Sequence, residues 1–189
     1  SDLPAPTQAE ASKLFKELGL PDEARVVGYV GRLAKQKRVE DLAWTVELLS
    51  NLQPHIHFVI IGDGPEREPL QQFVRETQNS DRIHFLGHQP QPQRYLPAFE
   101  VFWLASDFEG LSNSIMEAMA AGLPMVASDI PPNRELVGPD ETGYLVDVGD
   151  NVGRAKYTDM LLKDDTLRTE FGRAAVARIR EHFSVESMV

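Results

Sequence analysis

Short apolar runs, each closed by a turn and most followed by an amphipathic helix, constrain this chain more than any other feature. Val26, Val27, Tyr29 and Val30 form the first run, and after a glycine-containing turn Val39, Leu42, Ala43, Val46 and Leu49 return at spacings of three and four. That is a strand followed by a helix with one apolar face. The unit recurs with Phe58 to Ile61, the turn Gly62-Asp63-Gly64-Pro65, and a helix presenting Leu70, Phe73 and Val74. Ile83 to Leu86 fits a third strand and Val101 to Leu104 a fourth, which leads through Ser106 to Leu111 into a helix with Ile115, Ala118 and Met119 on one face, ended by Gly122. Met125 to Ala127 and Tyr144 to Val146 are two further strands around a small helix near Asn133 to Val137. Two helices, near 150 to 163 and 165 to 182, close the chain.

Strands apolar on both faces, alternating with helices, imply a parallel sheet covered on both sides, because right-handed crossovers place helices there. The expected fold is α/β: a doubly wound, Rossmann-like sheet of about six strands. The chain has 189 residues, which suits one domain with a core of its own. Residues 1–24 read as linker and lead-in helix, the helix covering 8–18, and residues 25–189 as the core. Trp44 and Trp103 are expected in that core. Ligands of such sheets bind at the carboxyl ends of the strands, so the turns after Val30, Ile61, Leu86, Leu104 and Ala127 are where a site is expected.

Charge narrows what such a site would take. Lys and Arg number 19 against 29 Asp and Glu, a formal charge of -10, which argues against nucleic acid or an anionic membrane as partner of the general surface. Yet four of those 19 basic residues, Arg32, Lys35, Lys37 and Arg38, fall within seven positions of the first turn. Arg32 offers a planar fork and Lys37 a mobile point charge, a suitable pair for a pyrophosphate, although a solvated helix start accounts for the turn equally well. The second turn has two of the three glycines of a dinucleotide fingerprint, and a plain strand-to-helix turn explains it more simply.

The turn after the fourth strand carries most information. Its helix should begin near Ser112 to Ser114, good N-cap residues that leave free N–H groups facing an anion. Glu109 stands just before that end, and Glu117 shares a helix face with Asn113 and Ser114 about one turn, ~5 Å, below it. Carboxylates on both sides of a bound anion suit the hydroxyl pairs of a sugar or ribose. Singly, Glu109 is also explained by the helix dipole and Glu117 by solvation.

There is no P-loop, no nucleophile elbow and no H-E-x-x-H helix. His55 and His57 lie on one side of a strand without an apparent third ligand and read as edge histidines. Cysteine is absent, no apolar stretch is long enough to cross a bilayer, and the amino end lacks the pattern of a signal peptide, so a cytoplasmic location is the expectation.

The segment Glu109 to Asp129, EGLSNSIMEAMAAGLPMVASD, resembles the signature of retaining GT-B glycosyltransferases of glycosyltransferase family 4. Gly31-Arg32-Leu33 with Lys37, the Ile60-Ile61-Gly62-Asp63-Gly64-Pro65 turn, and Ile83 to Gly87 occur in that family's order, and the likeness spans about Val26 to Val185. The resemblance implies the carboxy-terminal, donor-binding half of a two-domain enzyme, taking a UDP- or GDP-sugar. The basic pair matching Arg32 and Lys37 would hold the diphosphate, with amides at Gly110, Leu111, Ser112 and Asn113 assisting. Glu109 would face donor-sugar hydroxyls and Glu117 the ribose, while Gly62 makes room and the base sits near His88 and Gln89, with Arg94 stacking on it. Arg32, Lys37 and Glu109 are therefore the expected catalytic residues.

No cofactor and no metal are expected, since the chain lacks an Asp-x-Asp motif. The acceptor pocket would belong to an amino-terminal domain outside this chain, through which alone any peripheral membrane association would run. The isolated half is expected to be inactive in transfer. A non-catalytic nucleotide-sugar binding module of the same fold is the alternative. Two departures stand out: Arg38 follows Lys37 where the family usually has Gly, and Pro131, Pro132, Asn133, Arg134 and Glu135 replace a Gly-Gly-rich turn.

Overall fold

The structure, a computed structural model, describes residues 8–182. The lead-in at 1–7 and the segment 183–189 lie outside the described residues. Six strands form one sheet: β1 (Arg25–Val30), β2 (Ile56–Ile61), β3 (Ile83–Gly87), β4 (Val101–Leu104), β5 (Met125–Ser128) and β6 (Gly143–Val146). Their order is β3-β2-β1-β4-β5-β6, and every neighbouring pair is parallel. The helices are α1 (Gln8–Leu18), α2 (Val39–Leu49), α3 (Arg67–Glu76), α4 (Asn113–Ala120), α5 (Pro131–Leu136), α6 (Asn151–Lys163) and α7 (Asp165–His182).

The direction of winding reverses between β1 and β4. From β1 the chain adds β2 and then β3 on one side, and from β4 it adds β5 and β6 on the other. Right-handed crossovers then put α2 and α4 on opposite faces of the sheet. The packing agrees: α2 lies against α3 and α6 on one face, and α4 lies against α7 on the other. β1 and β4 share only the register pairs Val27↔Val101 and Gly28↔Phe102, in the middle of β1 and at the start of β4, so beyond them the carboxyl ends diverge and open a crevice.

Burial on both faces explains the apolar strands. β4 and β5 are buried throughout, and Trp103 is fully enclosed with its Nε1 donating to Thr158 Oγ1 at 2.9 Å. Trp44 departs from expectation. The core face of α2 is already filled by Leu42, Ala43, Val46 and Leu49, and Trp44 lies roughly 200° around the helix from Leu42. It is 48% exposed and leans on Phe73 of α3, ring centroids 5.3 Å apart.

The element ends differ slightly from the sequence reading. α5 starts at Pro131, because proline's fixed φ and missing N–H suit the first helical turn. β6 starts at Gly143, where a side chain would meet the Met125 carbonyl oxygen at 2.4 Å. Arg154 of α6 is fully buried, and its Nη1 donates to Asn151 Oδ1 at 3.0 Å. Burial pulls its pKa down to about 10, so it stays a cation near neutrality, facing the charges of Asp41 and Asp150. Among the described residues no helix is long and apolar enough to cross a membrane.

Candidate functional site

The crevice between β1 and β4 is built from three loops. The first leaves β1 at Gly31, whose N–H donates to Ile61 O, and bends through a 3-10 turn at Lys35–Lys37. Buried Tyr29 fixes this bend, its hydroxyl donating to Arg32 O at 2.9 Å. That environment raises the tyrosine's pKa, first by burial and then by the charge of Glu109, so the hydroxyl remains a donor. The loop ends at Arg38, which holds a left-handed conformation, φ 49° and ψ 41°. Such backbone favours glycine, which is the physical content of the departure at this position. Arg38 compensates with ion pairs to Asp41, 2.7 Å from Nε, and to Asp107, 3.3 Å from Nη1.

The second loop begins at Gly62, with φ 138° and its N–H on Gly87 O. A β-carbon there would sit 1.8 Å from Gly31 O, so the first two loops touch only because residue 62 is glycine. The third loop runs from Ala105 to Ser112 and is tied to the first by Asp107 N–H donating to Gln36 O at 2.9 Å. Ser112 caps α4 by accepting from Ile115 N–H at 3.4 Å.

These ties bring Lys37 and Glu109 together across the crevice. Lys37 Nζ pairs with Glu109 Oε1, and Ser106 Oγ donates to the same oxygen at 2.6 Å. Arg32, Gly62, His88 and Gln89 meet in a neighbouring cleft of about 340 Å³ with Val30, Gly31, Ile61, Asp63 and Pro92. Gln89 is held there, its Nε2 donating to Leu86 O at 3.0 Å and its Oε1 accepting from Tyr95 OH at 3.1 Å. Glu117, one turn into α4, accepts from Gln93 Nε2 at 3.0 Å. Gly110, Leu111 and Asn113 surround the α4 N-terminus, and all three are exposed. The arrangement joins a cation and a carboxylate to a helix N-terminus, with a half-open cleft alongside.

Two expectations need correction. Arg94 does not line the cleft: it pairs with Glu17 of α1 and lies over the Tyr95 ring, 4.8 Å from its centroid. The cause is that the 3-10 segment Pro92–Ala98 packs against α1. His57 is not at a sheet edge either, since β2 lies inside the sheet. Its Nδ1 is 2.9 Å from Nε2 of His84 on edge strand β3, near the amino ends of both strands and away from the crevice. Among the described residues no three His, Asp or Glu side chains are grouped so as to hold a metal. Sequence reasoning missed Tyr29, Ser106 and Asp107. A polar-tipped tyrosine inside an apolar strand, and polar residues directly after β4, were the available signals.

Comparison with known proteins agrees with this geometry. The family model described as Glycosyl transferases group 1 matches residues 10–178. The chain is 30% identical over 182 residues to N-acetyl-alpha-D-glucosaminyl L-malate synthase of Bacillus anthracis, covering 95% of this chain and 47% of the relative. It thus spans about half the length of the curated relatives it matches. Among solved structures, S. aureus TarM, in a complex that includes UDP, superposes with TM-score 0.84 at 26% identity, covering 89% of this chain and 35% of TarM. The C-terminal domain of a glycosyl transferase group 1 protein (LpcC) from Francisella tularensis shares the fold, with TM-score 0.83 at 22% identity over 95% of both chains. The parallel sheet, the crevice at its point of reversal and the match over most of its length make this chain a member of the group 1 glycosyl transferases, with the Rossmann-like fold of one GT-B half.

Proposed function

We propose that this chain binds the nucleoside diphosphate sugar donor of a retaining, metal-independent glycosyl transfer. The pairing of Lys37 with Glu109 where the sheet reverses carries this reading, because a diphosphate and a sugar are then adjacent ligands of adjacent groups. Arg32, Lys37 and the amides of Leu111, Ser112 and Asn113 hold the diphosphate, and they stabilise the charge it gains as it leaves. Glu109 accepts from sugar hydroxyls and Glu117 from the ribose, and the base occupies the cleft beside His88 and Gln89.

In the reaction the bond from the anomeric carbon to the diphosphate oxygen breaks, and its electron pair leaves with the diphosphate. The acceptor hydroxyl forms the new bond on the same face, and its proton passes to the departing phosphate oxygen. Glu109 positions the sugar and is not required as a nucleophile. UDP and GDP are the nucleotides proposed, the former supported by the UDP held in the TarM complex. The acceptor is taken by a further domain of the whole protein, so this chain alone binds donor without sustaining transfer.

Calorimetric titration with UDP, GDP and ADP, without metal, tests the assignment on the wild type and on the double variant Arg32→Ala, Lys37→Ala. The expected result is binding of UDP or GDP that the double variant abolishes. Unchanged binding by the variant would move the phosphates away from the first loop. Sustained transfer by the isolated chain would overturn its reading as a donor half.

A further inference from the structure

Glu109 is mostly buried, its side chain 10% exposed, and its two oxygens are treated differently. Oε1 is held twice, by Ser106 Oγ and by Lys37 Nζ, whereas Oε2 accepts no hydrogen bond among the described residues. A carboxylate fixed through one oxygen presents the other in a defined direction. That direction depends on Ser106, which is itself fully buried at the end of β4.

Ser106 is held from behind. Ser128, at the end of β5 and fully buried, donates its hydroxyl to the Ser106 carbonyl oxygen at 2.7 Å. Asn133 of α5, also fully buried, donates Nδ2 to the Ser128 carbonyl oxygen at 2.8 Å and lies 3.5 Å from Ser128 Oγ. The loop after β4 and the stretch from the end of β5 into α5 thus supply three enclosed polar side chains in series. Burying them is justified only by the bonds they make, and Asn133 still leaves Oδ1 without a partner among the described residues. An apolar set of the same size would fill this space without that cost.

We propose that Ser106, Ser128 and Asn133 are positioning residues that fix the Glu109 carboxylate, so that its Oε2 selects the hydroxyl pattern of the donor sugar. The inference rests on the reading of Glu109 as the sugar-facing carboxylate. None of the three serves the diphosphate, which belongs to Arg32, Lys37 and the α4 amides. Their loss therefore acts on the sugar and spares the nucleotide. Asn133 lies in the segment Pro131 to Glu135, one of the two departures seen in the sequence.

The test is the ratio of affinities for a sugar nucleotide and its bare nucleotide, UDP-glucose against UDP and GDP-mannose against GDP. A general loss of stability lowers both affinities and leaves the ratio unmoved. Ser106→Ala is expected to reduce the ratio by about tenfold, the worth of one hydrogen bond to a charged group. Ser128→Ala and Asn133→Ala, acting through Ser106, should reduce it by about threefold, and Ser128→Thr, which keeps the donor, should restore it. If Glu109→Gln collapses the ratio while the serine and asparagine variants keep the wild-type value, the positioning role is overturned and the Glu109 reading stands. If Glu109→Gln leaves the ratio unchanged, the Glu109 reading fails and the inference with it. Amide hydrogen exchange in the ligand-free chain gives a second readout: Ser128→Ala should speed exchange from Asp107, whose N–H donates to Gln36 O, through Glu109, ahead of the amides that hold the diphosphate. An unchanged rate there would also overturn the proposal.

Discussion

Lys37 and Glu109 neutralise one another, and their unequal burial fixes what happens when either is removed. Lys37 is 19% exposed and Glu109 10%. Lys37→Ala strands an enclosed carboxylate that keeps, among the described residues, Ser106 as its one donor, at a cost of about 2–3 kcal/mol. Glu109→Gln is milder, about 1 kcal/mol, since Ser106 can still donate to the amide oxygen and the ammonium can turn to water. Urea unfolding of both variants checks this order, and equal losses would contradict it. Arg38 sets a different balance. Relaxing its left-handed backbone with Arg38→Gly gains roughly 1 kcal/mol, while its two partly exposed ion pairs are worth about 0.2–1 kcal/mol each. The two effects nearly cancel, so the unfolding free energy should stay within about 1 kcal/mol of wild type. Residues of this kind were unevenly legible. Lys37 and Glu109 stood out because like functions cluster at strand carboxyl ends, and Arg38 because it stands where a glycine was expected. Ser128 and Asn133 did not, because small polar residues at and after a strand end read equally as turn formers, and the link to Ser106 spans 22 residues.

The strands and helices follow from periodicity nearly residue for residue, because a strand buried on both faces leaves little freedom in composition. What periodicity does not give is the rotation of a helix whose two faces both carry large apolar residues. α2 bears Leu42 and Val46 inward, and Trp44 and Leu48 outward. Pairing between strands was equally hidden, as the histidines show. Burial lowers the pKa of His57 to about 4, the neighbouring His84 adding to the effect, and burial lowers that of His84 as well. Unfolded histidine titrates near 6.5, so between about pH 6.5 and 4 the unfolded chain binds more protons than the folded one. Stability is therefore full above this window and declines as pH falls through it. The urea midpoint should drop between pH 7 and pH 5, and His57→Gln should flatten that drop. An identical pH slope in the variant would place the titration elsewhere.

At the scale of the molecule, the sheet separates a binding end from a bracing end. The crevice lies at the carboxyl ends of β1 and β4. At their amino ends Arg25 grips Glu100 through Nε, 2.8 Å from Oε1, and through Nη2, 2.7 Å from Oε2. Arg168 of α7 reaches the same carboxylate at 3.2 Å, and Arg25 also donates to Leu162 O at the end of α6. One carboxylate thus ties both central strands to the closing pair of helices, and its hydrogen bonds first, then its negative charge, raise the pKa of the Arg25 guanidinium. Glu100→Gln leaves two arginines facing an uncharged amide. A stability loss of about 1–3 kcal/mol is expected, since the ion pairs with both arginines are lost and one acceptor oxygen becomes an NH2 group facing their donors. Nucleotide affinity should stay unchanged, because the substitution lies a full strand length, roughly 15 Å, from the crevice and well beyond the screening distance of about 8 Å. In combination with Arg168→Ala the losses should add to less than their sum, because both substitutions remove the same bond. Paired unfolding and titration measurements on these variants check the separation. A fall in nucleotide affinity with Glu100→Gln would mean that the bracing end sets the width of the crevice, and that the sheet transmits strain along β1 and β4.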